Sequence, residues 1–362
     1  MTYKADHGDL KVGKLKEMDK EIKKVKQWLH LEGHTTDGVF YSRFSDGGIN
    51  ITKLEDQILA MRTRRILSLR VSGDPTTNTL VRKDASKREV ERAWKALTGS
   101  LPRSSVDKLN IQEISSRSIK EREFSKWAKQ DWQGKGIACF RSDPVSNTWL
   151  ANRSKHGLSE SEFILALKIR TRTFPPTNLQ GKKPSLPLCR LCKSGPESVG
   201  HITCACKNLK TNRRRHNNIC QFLFRLAKEN GWCAKSEPVL ISAEGKMGRP
   251  DLVLWRTGTV LMIDVAVCME TDQGTLQAMA LHKVQKYQPF KGAVYRLDPS
   301  IRKVQVWGFP VGARGKWHHL NNDLLREITR KSAKGIMHIA ARLSKLALFG
   351  SIKICKAFIQ GM

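Results

Sequence analysis

Apolar residues along this chain follow two rhythms, and each stretch can be assigned to an element by which rhythm it keeps. From Lys14 to Leu31 the apolar positions Leu15, Met18, Ile22, Val25, Trp28 and Leu29 recur at three and four with lysines between. That spacing predicts an amphipathic helix with a basic outer face, ending near Gly33. Ile51 to Val71 predicts a second basic helix of looser period, and Ser72 to Ser118 reads as polar and turn-rich, with Gly73-Asp74-Pro75 and Gly99 to Ser105 as linkers. Helical spacing resumes from Ile119 to Lys129. Ser159-Glu160-Ser161-Glu162 is a capping box that opens a helix through Arg172, closed by Pro175-Pro176. Asn212 opens a further amphipathic helix carrying Ile219, Phe222, Leu223 and Leu226, stopped at Asn230-Gly231.

The second rhythm belongs to strands. Leu252 to Trp255 and Thr259 to Val267 are apolar runs with Arg256, Thr257 and Gly258 between them as the turn signal. A two-residue Thr257-Gly258 turn pairs 256 with 259, 255 with 260 and, continued, 251 with 264, so that Asp251 and Asp264 face each other. Opposed side chains on such a ribbon are about 5 Å apart, and two like charges there need a neutralising cation. Magnesium takes one or two carboxylates together with water and phosphate oxygens, which suits phosphodiester chemistry. Thr275 to Tyr287 predicts a helix with Leu276, Ala280, Lys283 and Tyr287 on one face, bringing Lys283 toward the sheet; Lys286 is the alternative lysine. Glu270 is a further candidate ligand, though an exposed acid at a helix start is the simpler reading. Gly292 to Tyr295 and Lys303 to Phe309 are strand candidates, and roughly 320–348 a final helix covering the sheet.

Charge narrows the partner. The 362 residues hold 65 Lys+Arg against 33 Asp+Glu, a net charge of +32. Positive charge spread over the whole length favours a polyanion, nucleic acid before membrane. No stretch has the uncharged apolar length of a membrane span, because Arg342, Lys345, Lys353 and Lys356 interrupt the most apolar late segment. The first ten residues are polar and charged, so a secreted disulfide framework is not expected of the nine cysteines.

Five of those cysteines lie between Cys189 and Cys220. Cys189-x2-Cys192, eight residues to His201 and four to Cys206 is a CCHC arrangement suited to a closed structural Zn2+ site, with Cys204 competing for the last place. Just beyond, Arg213, Arg214 and Arg215 crowd a helix N-terminus, where they add to the positive end of the dipole; a bound phosphate would relieve that conflict.

Pro250-Asp251, Asp264 with Ala266 where a lysine often stands, and a lysine moved onto the next helix resemble the PD-(D/E)xK restriction-like endonuclease of site-specific non-LTR retrotransposons. The resemblance extends to His34-Thr35-Thr36, Phe40-Tyr41 and Asp46-Gly47-Gly48 (a thumb-like track), to Gln133-Gly134-Lys135-Gly136 with Phe140 and Trp149, to the Arg215-His216-Asn217 string, and to Gly312-Ala313-Arg314-Gly315-Lys316-Trp317. It implies Cys206 over Cys204 as the fourth zinc ligand, and Arg215 and His216 as DNA contacts beside Arg213 and Arg214. It implies an α/β (α+β) chain: 1–71 thumb-like and helical, 72–185 a mainly helical linker region, 186–210 a zinc knuckle, 211–319 an endonuclease core and 320–362 a C-terminal helix. Asp251, Asp264 and Lys283 are the implied catalytic residues, with Mg2+ on the two acids. The implied partners are a DNA target and the element's RNA, with the nucleus as the working compartment. No adjacent pair of aspartates exists to hold polymerase metals, so reverse transcription is not expected of this chain, which reads as the C-terminal part of a longer protein. The competing reading is an inactive, zinc-containing nucleic-acid-binding protein.

Overall fold

A computed structural model describes residues 12–22, 24–70, 73–81, 84–99, 110–151, 156–175, 186–297 and 300–361. These form two compact units dividing between Gln130 and Asp131, inside the stretch 72–185 that the sequence suggests as one region. The first unit is helical: α1 (Val12–Ile22), α2 (Val25–Trp28), α3 (Gly38–Tyr41), α4 (Leu54–Arg70), α5 (Pro75–Val81), α6 (Asp84–Thr98) and α7 (Ile111–Ala128). Its core joins Ala60 of α4, Trp94 and Leu97 of α6 and Ile111 and Ile119 of α7.

Helices α5 and α6 correct the expected polar linker. Arg88, Glu89, Glu91, Arg92 and Lys95 are exposed on one side of a helix whose other side buries Val90, Ala93, Trp94 and Leu97. Spacings of three and one satisfy a helix face even in a highly charged stretch. The candidate linker at Ser100 to Ser105, the start of the chain and Pro176 lie outside the described residues.

The second unit places helices on both faces of a four-stranded sheet. Its helices are α8 (Pro144–Ala151), α9 (Glu160–Arg170), α10 (Val199–Cys204), α11 (Thr211–Glu229), α12 (Thr275–Tyr287), α13 (Lys291–Leu297), α14 (Asn321–Thr329) and α15 (Ala333–Gln360). The strands β1 (Cys233–Ser236), β4 (Leu252–Arg256), β5 (Thr259–Cys268) and β6 (Lys303–Gly312) form the sheet in the order β1-β4-β5-β6, while β2 (Leu240–Ile241) and β3 (Met247–Gly248) make a small separate ribbon. The β4–β5 hairpin has the expected register, Arg256 opposite Thr259 through to Leu252 opposite Ile263. Thr257 and Gly258 both have positive φ, as a two-residue hairpin turn of the primed type requires. β5 and β6 run parallel, and α12 and α13 make the crossover between them.

Because strand side chains alternate, β5 serves two cores at once. Leu261, Ile263 and Val265 face α11, α14 and α15. Val260 and Met262 face Tyr287, Phe290 and Val294 on the other side. A strand buried on both faces reads as a continuous apolar run, which is why Thr259 to Val267 lacks polar alternation. Asp264 falls in that run on the α12 side.

Several sequence expectations need correction in this unit. Gly292 to Tyr295, expected as a strand, is the middle of α13; Ala293 and Val294 are buried in a spacing that a short helix meets equally well. The final helix is two, α14 and α15, divided where Arg330 takes a left-handed backbone and Ser332 caps α15 through the Gly335 N–H. Glu270, read as an exposed helix-start acid, is fully buried. The capping box at Ser159 forms as expected, with reciprocal bonds to Glu162.

Candidate functional site

Past Leu252, strand β4 has no further partner for β5, and the backbone of Val265 would be left open at the sheet rim. Two side chains close it. Asp251 Oδ2 accepts the Val265 N–H at 2.6 Å, and His216 Nε2 lies 3.2 Å from the Val265 carbonyl oxygen and 3.1 Å from Asp251 Oδ2. Satisfying both groups removes the penalty of an unpaired, partly buried peptide and pins Asp251 to the hairpin end. Burial disfavours a charged His216 ring, but its contacts with Asp251 and Cys220 outweigh that and hold the imidazole pKa up, at about 11.

Asp264 sits one residue before Val265 and is nearly fully buried. Its Oδ2 lies 2.6 Å from Lys283 Nζ as an ion pair and, among the described residues, has no partner of hydrogen-bond geometry. Lys283 reaches it because α12 packs closely on β6. A Cβ at Gly308 would meet the Ala280 carbonyl oxygen at 2.3 Å, so only glycine lets the helix descend this far. Lys286 points elsewhere: it is exposed and its ammonium lies 4.7 Å from the centre of the Tyr287 ring. Tyr287 is a packing residue whose hydroxyl donates to the Arg249 carbonyl at 2.6 Å. Burial first, and then the Asp264 and Asp251 carboxylates, push its pKa up. Asp264 directly precedes Val265, whose N–H Asp251 accepts, so the two acids are tied to consecutive residues of β5.

Arg213 and Arg214 are exposed on the first turn of α11. Arg215, expected beside them as a DNA contact, is instead buried, donating to Ser351 Oγ and to the Thr203 carbonyl, each at 2.7 Å. One helical step rotates it about 100° from Arg214, into the seam between α10, α11 and α15. His216, expected in the same surface group, is the half-buried partner of Asp251 described above. Cys220 was not singled out by sequence, yet its sulfur lies 3.7 Å from His216 Nδ1. The available signal was the four-residue spacing of two metal-capable side chains on one helix face.

The CCHC residues also assemble. Single donor atoms of Cys189, Cys192, His201 and Cys206 all lie within 4.8 Å of one another. Cys189 and Cys206 sulfurs are 3.9 Å apart, and Cys192 Sγ is 3.1 Å from His201 Nε2. A tetrahedral zinc with ordinary bond lengths needs donors about 3.5–3.8 Å apart, so the four residues fit such an ion with small adjustments. Cys204 is outside the cluster, its sulfur beside the Thr203 hydroxyl. The Ser194 hydroxyl donates to Cys192 Sγ at 3.2 Å and, with its backbone N–H, pulls that thiol down to about 6, which favours the thiolate a metal requires. Cys206→Ser is expected to remove one tightly held metal ion per chain, and Cys204→Ser to remove none, by metal analysis after gel filtration.

A second buried assembly gathers motifs that are far apart in sequence. Arg314 and Glu270 are both fully buried; Arg314 Nε donates to Glu270 Oε1 at 3.2 Å, and its Nη2 donates to the Glu270 carbonyl at 2.6 Å. Arg314 also donates to the carbonyls of Arg170 and Lys135, and the Arg170 guanidinium lies 3.6 Å from the centre of the Phe140 ring. Gly136, with φ of +77°, lies so close that a Cβ there would meet the Glu270 carbonyl at 2.2 Å. The glycines near 134–136, Phe140 and the 312–317 loop thus share one packing task.

No protein-family profile matches the chain. Among curated proteins, it is 26% identical over 351 residues to a retrovirus-related Pol polyprotein from the type-1 retrotransposable element R2 of Popillia japonica, covering 96% of this chain and 68% of that protein. A second R2 Pol polyprotein from Popillia japonica is 27% identical over 320 residues, covering 85% of this chain and 41% of that protein. The chain thus spans between 41% and 68% of the length of these relatives. The similarity supports reading the chain as related to R2 retrotransposon Pol polyproteins.

Proposed function

We propose that the second unit is a metal-dependent DNA endonuclease that nicks target DNA, within a non-LTR retrotransposon protein whose polymerase centre this chain does not carry. The observation that carries this reading is the Asp264–Lys283 pair at 2.6 Å on the same sheet rim as Asp251. A buried carboxylate oxygen paired with Lys283, one residue before the Val265 N–H that a second carboxylate accepts, supplies oxygen donors, which suit Mg2+ better than a soft metal. Asp251 and Asp264 would hold the ion, which when bound supplies a water of lowered pKa. Lys283 keeps a positive charge beside Asp264, suited to the charge that develops on phosphate oxygens. The hydrogen bond from Val265 N–H fixes Asp251, so the rim is built before substrate arrives.

Retention of nucleic acid is assigned to the exposed Arg213 and Arg214 and to a groove of about 990 Å3 between α11 and α15, lined by Arg225, Lys331, Lys334, His338 and Arg342. Such a surface neutralises phosphates and makes binding salt-dependent. Target DNA and the element's RNA are the partners this implies, and the nucleus the compartment.

The test is magnesium-dependent nicking of supercoiled plasmid. Lys283→Ala is expected to slow nicking by roughly 100-fold, on the scale of one lost transition-state donor, while Lys286→Ala changes it less than about threefold. Equal losses in the two variants would contradict the assignment. The rival reading, an inactive zinc-containing nucleic-acid-binding protein, predicts gel retention with no nicking in any divalent metal.

A further inference from the structure

Beside the acid rim lies a donor set that the magnesium reading does not use. His216 and Cys220 are one turn apart on α11, and Asp251 faces them from the hairpin. One donor atom from each lies within 4.8 Å of the other two, the same spread that gathers the four knuckle residues. The individual separations are 3.1 Å from His216 Nε2 to Asp251 Oδ2, and 3.7 and 3.9 Å from Cys220 Sγ to the two ring nitrogens. In the cysteine-histidine cluster, Cys192 Sγ lies 3.1 Å from His201 Nε2 and Cys189 Sγ 3.9 Å from Cys206 Sγ. All three side chains are partly exposed, so an ion could reach them.

We infer that His216, Cys220 and Asp251 form a second transition-metal site, selective for zinc or cobalt over magnesium and separate from the knuckle. The selectivity follows from donor chemistry, since a thiolate and an imidazole favour borderline-soft ions and contribute little to a magnesium ion; the incoming ion displaces the His216 ring proton and the Cys220 thiol proton into solvent. The helix supplies the geometry, because residues four apart share a face and present two ligands to one point. The knuckle closes its metal with four protein donors. This site offers three and leaves a coordination position for water or a phosphate oxygen, the arrangement of a catalytic rather than a structural zinc. Asp251 belongs to both rim sites, and a carboxylate can serve two cations through its two oxygens. The site does not depend on whether the protein cuts DNA.

The full chain, purified with zinc and freed of loosely held ions by gel filtration, is expected to carry two zinc ions. Cys220→Ala and His216→Asn are each expected to carry one, with the circular dichroism of the parent. A single zinc in the parent, or two in either variant, would overturn the site. Should the variants fail to fold, X-ray absorption on the parent decides. Two sites together give an average of about two sulfurs per zinc, whereas the knuckle alone gives about three. An average near three overturns the proposal. Nicking in magnesium is read separately, so loss of the endonuclease reading and loss of this metal site are distinct results.

Discussion

Asp264→Ala and Asp251→Ala are each expected to reduce magnesium-dependent nicking by about 1,000-fold, corresponding to about 4 kcal/mol of transition-state stabilisation. The effect is large because, on the proposed function, each substitution removes one of the two carboxylates assigned to the ion, and Asp264→Ala also leaves the Lys283 ammonium without its partner at 2.6 Å. Asp264→Asn is the sharper variant. It keeps the shape of a nearly fully buried side chain and removes only the charge, so its activity should fall as far as that of the alanine variant. Retention of plasmid in a gel should be unchanged in all three, since Arg213, Arg214 and the groove between α11 and α15 are untouched. Persistent nicking in both alanine variants would remove the endonuclease reading. Joint loss of nicking and retention would point to a folding defect, which thermal unfolding detects directly.

The second large effect concerns stability. Glu270→Ala is expected to destabilise the second unit by about 3–5 kcal/mol, because it strands the guanidinium of Arg314 where neither side chain has any exposure. Against the usual 5–15 kcal/mol of a folded domain, that is about a fifth of the total or more. A fall of roughly 10 °C in the unfolding midpoint, or loss of soluble protein, is the expected reading. Glu244, paired with Lys246 in a highly exposed position, is the control: Glu244→Ala should shift stability by less than about 0.5 kcal/mol. Pairing Glu270→Leu with Arg314→Met should recover much of the loss, since a buried ion pair replaced as a unit leaves no orphan charge. A mild effect of Glu270→Ala, comparable to the control, would show that the junction tolerates water.

Both predictions depend on features of unequal visibility in the sequence. The hairpin register was readable because Thr257-Gly258 admits a two-residue turn and the flanking apolar runs leave little freedom to slip. The Lys283 face of α12 was readable from periodicity, and the cluster of Cys189, Cys192, His201 and Cys206 from spacing together with family resemblance. Glu270 was misread because a carboxylate at the end of a strand is exposed by default; what buries it is an arginine 44 residues later. Arg215 was misread for a related reason. A run of three arginines carries no sign of which one turns inward, and that choice was made by Ser351 and Thr203 on other helices.

The hairpin turn and register, the Lys283 face of α12, the excess of positive charge and a cysteine-histidine cluster are legible along the chain, because each rests on composition or on residues close together in sequence. Which polar groups are buried, and with whom, is set by packing between distant segments. That packing drew His216 and Cys220 to Asp251, closed Glu270 onto Arg314, and turned α13 into a helix where a strand was equally consistent. The physical reason is that a buried charge or an open backbone group costs several kcal/mol unless a partner arrives, and the partner comes from whichever distant segment the packing of the two cores brings alongside.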